Sequence, residues 1–272
     1  MTPVGSRWAG RFRAKRDRRL ETGAGVESRV GERARQRLIR PVAYALTAVL
    51  LLVAAWEASV VFGAMSRPDV TLGMDFGIYM DRTRDWLAGD GFYLPHQLAG
   101  SYDVGTGTPP ALYPPVLLLL TVPFTVLPAV LWWAIPLGVI GWSIRRAPWW
   151  VWPLLALLLV YPRTWIVLVY GNPSLWAFAA LAAGAGPLAA LKPTLGPFAL
   201  LGIRSRSWWL WAGVGLLAAL PFGAMWFEYA TAIGNARNDY GIEYLIGEWP
   251  IALALVLARS VPQPRASPGT RR

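Results

Sequence analysis

At 272 residues, 55% of them hydrophobic and 16 of them tryptophan, the chain is too apolar for an ordinary soluble domain. Its long apolar runs predict a multi-span membrane protein. The absence of cysteine excludes a disulfide framework and any cysteine-ligated metal site, and a lone histidine, His96, excludes the usual multi-histidine zinc site. The formal charge of +11 is concentrated before residue 41, where twelve Lys or Arg stand against four acids, so it reads as a topology signal and not as a nucleic-acid surface.

Residues 1–41 lack hydrophobic periodicity and predict a disordered, basic cytoplasmic tail. Residues 42–64 form the first span, about 34 Å long as a helix, running from inside to outside. Glu57, in its outer half, is either a contact in a polar cavity or an interfacial group. Residues 65–112 are then an outer loop. Its opening stretch holds Asp75, Asp81, Asp85 and Asp90, the densest group of carboxylates outside the tail. On a helix, Asp75, Tyr79, Arg82 and Trp86 share one face, while Asp81 and Asp85 fall on another. One acid is thereby set beside a tyrosine hydroxyl and an arginine, a setting for a general base near a bound anion. The same spacing also describes a solvated amphipathic loop helix.

Tyr113-Pro114-Pro115 opens the next apolar stretch, with proline tolerated at a helix start. Residues 116–144 are interrupted by Pro123, Pro128 and Pro136 and read as a short helix, a turn or kink at Leu127-Pro128, and a second helix. Together they make one net crossing, which leaves Arg145 and Arg146 inside. Residues 149–161 return outward, and residues 163–174 form an outer or half-buried turn. Residues 175–183 and 187–203 are short helices broken at Gly184-Ala185-Gly186-Pro187 and at Lys192-Pro193. Broken helices occur in membranes where they line a protein cavity. Residues 208–222 go out, 223–247 form a second outer loop, 249–257 go back in, and 259–272 form a cytoplasmic tail. The expected fold is all-α: a polytopic transmembrane domain over residues 42–258, with about six to eight spans including the short and broken ones.

Only two of the 26 basic residues are lysine, Lys15 and Lys192, so a lysine in an apolar region is a specific choice. Lys192 is either a point charge for a phosphate or a side chain snorkelling to an interface. Four elements are expected to meet at the outer face: Asp75 with Tyr79, Tyr113-Pro114-Pro115, Gly171-Asn172, and Lys192-Pro193. An acid, an amide and an ammonium in one cavity suit a substrate that carries a phosphate and a hydroxyl.

Taken in order, Asp75-Phe76-x-x-Tyr79, Trp86-Leu87-x-Gly89, Tyr93, Tyr113-Pro114-Pro115, Gly171-Asn172 and Leu191-Lys192-Pro193 resemble the motifs of glycosyltransferase family 87. That family comprises membrane-embedded enzymes of the GT-C type, mostly mannosyltransferases that use a polyprenyl-phosphate sugar. The resemblance covers roughly residues 42–222. It implies a GT-C-like fold, Asp75 as catalytic base, and Tyr79, Arg82, Tyr113, Asn172 and Lys192 as substrate-binding residues, with Lys192 near the donor phosphate. It further implies transfer of a sugar, mannose by family habit, to a lipid- or glycan-linked hydroxyl on the outer face. The expected setting is a bacterial plasma membrane, with both termini cytoplasmic. No cofactor and no nucleic acid are expected; a divalent metal is compatible, although no multi-carboxylate ligand set is evident beyond the loop aspartates. Two departures mark a short or truncated member. Few spans follow the Lys-Pro element, and the family's cytoplasmic loop is cut to Gly184-Ala185-Gly186-Pro187. A transporter for a lipid phosphate or another anion, and a non-catalytic membrane subunit, are the other readings.

Overall fold

Proline and left-handed glycine cut the apolar runs into short pieces. The computed structural model describes residues 37–65, 71–104, 107–237 and 246–260. Helix α1 spans Arg37–Ala64, α2 Met74–Ala88 and α3 Pro95–Ala99. A mixed 3-10 and α turn, α4, covers Pro115–Thr125, followed by α5 at Leu131–Ile144. Next come α6 at Trp149–Val160, α7 at Pro162–Tyr170 and α8 at Ser174–Ala183. Short turns at Gly186–Leu191, Pro193–Leu195 and Gly196–Ala199 lead into α9 at Arg206–Phe222, α10 at Met225–Asn235 and α11 at Trp249–Ser260. The described fold is all-α except for one two-residue parallel pair, Tyr102–Asp103 with Ala236–Arg237.

Helix α8 lies at the centre, packed against α5 and α11. Its alanines let neighbouring helices approach closely, and Ala177, Phe178, Leu181 and Ala182 meet Leu155, Val167, Ile251, Ala252 and Leu255 in the main core. A second core, around the segment between α2 and α4, joins Tyr79, Phe92, Tyr93, Tyr113, Leu117, Phe222 and Ala232. Gln97 ties that layer together. Fully buried, it donates to the carbonyl of Ala111 at 2.9 Å and to the Tyr102 hydroxyl at 3.1 Å, and Tyr102 in turn donates to the carbonyl of Ala232. The buried polar atoms of this loop layer thus satisfy one another.

Helix α1 is long and apolar enough to cross a membrane, and almost none of its apolar window is buried against the rest of the chain. Two further crossings exist if each bent pair counts as one span: α6 with α7, bent by 66°, and α9 with α10, bent by 92°. The remaining apolar helices, α4, α5, α8 and α11, run for only 10 to 17 residues.

Several expected boundaries move. The first helix starts at Arg37, inside the expected tail; residues 1–36 and 261–272, where the two tails were expected, lie outside the described residues. Residues 163–170, expected as a turn, are helical. Tyr161 is extended (φ −76°, ψ 119°), and Pro162 then pre-sets a new helix at its first position, so the chain bends and does not end. The expected second outer loop, 223–247, opens with helix α10; residues 238–245 of it lie outside the described residues.

Candidate functional site

The site is built on the turn that ends α7. Gly171 is left-handed (φ 65°, ψ 38°), and its N–H bonds back to Leu168 while that of Asn172 bonds to Val167, the paired closure of a Schellman motif. Two tryptophans of α5 clamp this turn. Trp132 Nε1 donates to the carbonyl of Gly171 and Trp133 Nε1 to that of Leu168, each at 2.7 Å. Helix α2 is docked to the same place, because the N–H of Gly73 donates to Val169 at 2.8 Å. Asp75 in the first turn of α2 therefore arrives beside Asn172.

Asn172 is the hub. Its Nδ2 donates to Asp75 Oδ2 at 2.5 Å. Its Oδ1 accepts from the Tyr113 hydroxyl at 2.8 Å, from the Ser174 N–H at 2.9 Å, from the Ser174 hydroxyl at 2.5 Å and from Lys192 Nζ at 3.3 Å. The amide can adopt only one orientation, since donors surround its oxygen and an acceptor faces its nitrogen. The bond to Ser174 N–H also explains the residue type. A side chain that reaches its own backbone two residues on has the length of asparagine, and it starts α8 immediately after Pro173.

Lys192 approaches from the opposite side. Pro193 denies the residue before it a helical conformation, and Lys192 is extended (φ −112°, ψ 109°) between two 3-10 turns. Its ammonium donates to Ser174 Oγ at 2.5 Å and to Glu248 Oε1 at 2.6 Å, in addition to Asn172. All three of its protons are thus engaged, and the residue is only 5% exposed. The ammonium, expected near a donor phosphate, is held here by internal partners. Glu248 is 2% exposed, and its Oε2 is buried without a hydrogen bond among the described residues. Arg163 Nη2 stands 3.8 Å from Glu248 Oε1. Removing one partner of such a buried pair leaves an uncompensated charge and costs about 3–5 kcal/mol.

Burial dominates the electrostatics of Asp75 and raises its pKa above the ordinary carboxylate value. The Asn172 hydrogen bond, Lys192 and Arg163 oppose that shift, while Glu248 reinforces it. Only Oδ2 of Asp75 is hydrogen-bonded among the described residues, which leaves Oδ1 open to a substrate proton.

Of the six residues singled out from sequence, Asp75, Tyr113, Asn172 and Lys192 converge in one hydrogen-bonded cluster. Tyr79 lines it through its ring, set edge-on to Tyr113 with centroids 5.0 Å apart. Arg82 does not join it. Although it shares a helical face with Asp75, its guanidinium is drawn to Asp85 at 3.0 Å, one turn further on. The cations that face Asp75 are instead Lys192 and Arg163. Sequence reasoning missed Glu248, Arg163 and Ser174. The available signal was an acid or a base directly at the head of an apolar helix, Glu248 before Trp249-Pro250 and Arg163 after Pro162. Among the described residues no three His, Asp or Glu side chains come together as a metal site.

An apolar groove of about 700 Å³ is lined by Pro114, Leu191 and Pro193, the chain neighbours of Tyr113 and Lys192, together with Val116, Trp208 and Trp226 among others. Comparison with family models, with curated proteins and with solved structures gives no match to the chain.

Proposed function

We propose that the chain is a multi-pass membrane glycosyltransferase of the GT-C type. It would move a sugar from a polyprenyl-phosphate donor to an acceptor hydroxyl on the outer face, as the motif order resembling glycosyltransferase family 87 implies. The observation that carries the reading is the meeting of Asp75 with Asn172: a desolvated carboxylate with one oxygen held and the other open. In the proposed step the acceptor oxygen attacks the anomeric carbon and its proton passes to Asp75 Oδ1. The bond from that carbon to the phosphate oxygen breaks, and the polyprenyl phosphate leaves with the electron pair, inverting the anomeric centre. Asn172 orients the base, and Tyr113 and Ser174 orient Asn172. The groove between Pro114 and Pro193 suits the isoprenoid chain of the donor. Arg163, whose side chain is 21% exposed, is the cation a donor phosphate can reach, whereas Lys192 acts through its field.

The test is sugar transfer by the purified protein in nanodiscs from a radiolabelled polyprenyl-phosphate donor. Replacing a general base costs on the order of a hundredfold or more, so Asp75→Asn is expected to lose at least that. Asp81→Asn and Asp85→Asn, whose carboxylates are occupied by Arg84 and Arg82, are expected to keep most activity. Full activity in Asp75→Asn would remove the assignment. One observation favours a second reading, a non-catalytic membrane subunit: the saturation of Lys192 by internal partners is what a purely structural pair would show. Absence of transfer by the wild-type protein, from every polyprenyl-phosphate sugar tried, would favour it.

A further inference from the structure

The Lys192–Glu248 pair is buried and costly to desolvate, and it reaches Asp75 through one side chain, Asn172. Of the three acceptors around the ammonium, Ser174 and Asn172 are neutral and only Glu248 carries charge. On the far side of the same Asn172 amide stands the other carboxylate of the cluster, Asp75. Two carboxylates therefore compete for one buried ammonium, and the closer contact goes to Glu248. The residues flanking Glu248 have contacts of their own: the Trp249 indole donates to the carbonyl of Thr194 at 2.9 Å, and the Tyr161 hydroxyl donates to that of Gly247 at 2.7 Å.

We infer that Glu248 is a positioning residue: by holding the Lys192 ammonium it keeps that cation off Asp75, so that the carboxylate is held by the neutral Asn172 amide and retains a free oxygen. The inference rests on Asp75 being the base. Without the charge of Glu248, Lys192 is drawn toward Asp75. An Asp75–Lys192 pair would occupy the open oxygen and stabilise the ionised carboxylate, making it a weaker base. The charged groups that face Asp75 are Lys192, Glu248 and Arg163, and the Tyr113 hydroxyl is the titratable neighbour on Asn172. Removing Glu248 and removing Lys192 must therefore act on Asp75 in opposite directions. A role confined to packing would not produce opposed signs.

The experiment titrates Asp75 directly, by infrared difference spectroscopy of the full chain in nanodiscs, with its carboxyl band assigned by its loss in Asp75→Asn. Glu248→Gln is expected to move the midpoint to lower pH, Lys192→Met to higher pH, and the double variant to a value between the two. Midpoints that stay put, or single variants that shift in the same direction, would overturn the inference. If Lys192→Met fails to fold, Glu248→Gln against the double variant decides, because the double variant leaves no unpaired buried charge: a midpoint no lower in Glu248→Gln than in the double variant refutes the role. Opposed shifts together with an active Asp75→Asn would refute the base and spare the charge coupling. Unmoved midpoints with an inactive Asp75→Asn would refute the positioning role alone.

Discussion

Replacing Gly171 by alanine tests whether the α7 turn is what brings the site together. An alanine at φ 65° sits in the left-handed region, at a cost of about 1–2 kcal/mol. Its Cβ would also fall 2.6 Å from Trp133 Cζ2 and 3.1 Å from Phe76 Cβ, distances at which something must shift. Trp133 has little freedom to give, since its Nε1 is bonded to Leu168 and its ring is wedged against Phe76 with centroids 5.6 Å apart. Overpacking of this kind adds about 1–3 kcal/mol. The expected total for Gly171→Ala is therefore about 2–5 kcal/mol, combining the backbone and overpacking contributions. Gly89 provides the control. It too is left-handed (φ 94°) at a helix end, but nothing lies within 4 Å of its added Cβ, so Gly89→Ala isolates the backbone part. The measurement is equilibrium unfolding of both variants in mixed micelles, followed by tryptophan fluorescence, alongside sugar transfer. Gly171→Ala should be the less stable of the two and should lose transfer, because moving Trp133 tilts the turn that carries Asn172. Equal stability of the two variants would refute the close packing of Trp133 and Phe76 on this turn.

Transfer should fall as pH drops through the Asp75 pKa, on an acidic limb displaced above the ordinary carboxylate range, since burial favours the protonated form and only the ionised form is a base. Asn172→Leu removes a donor that favours the ionised form, so its limb should move to still higher pH; a pH–rate profile of each protein checks both statements. Lys192→Met should lose about 3–5 kcal/mol of stability by stranding Glu248, and Lys192→Met with Glu248→Gln should recover most of it, as read by the same unfolding assay. The chain has no cysteine, so topology can be read with single introduced ones: Asp81→Cys should react with an impermeant maleimide from outside and Arg204→Cys only from the cytoplasmic side.

The sequence alone determined the helical class and most of its breaks. Hydropathy and the sterics of proline act over a few residues, so Pro123, Pro128, Pro162 and Pro193 mark their interruptions wherever the rest of the chain lies. The segment after Pro162 shows the limit of that logic: the same proline ends one helix and starts another, and the start was not legible because no polar turn residue precedes it. The chemistry-bearing groups were also visible one by one, Asp75 by its helical face, Tyr113 and Asn172 in their short motifs, and Lys192 as a rare lysine in apolar company. Which group each one touches was decided by the tertiary structure. Arg82 and Asp75 share a helical face, yet an arginine takes the carboxylate its own side chain reaches, and that is Asp85. Asp75 meets an amide 97 residues away because Gly73 docks on Val169, and Lys192 meets Glu248 across 56 residues because Trp249 docks on Thr194. An ion pair between separate segments of the chain leaves no spacing in the sequence. Its partners are chosen by which backbones the packing brings within hydrogen-bond reach.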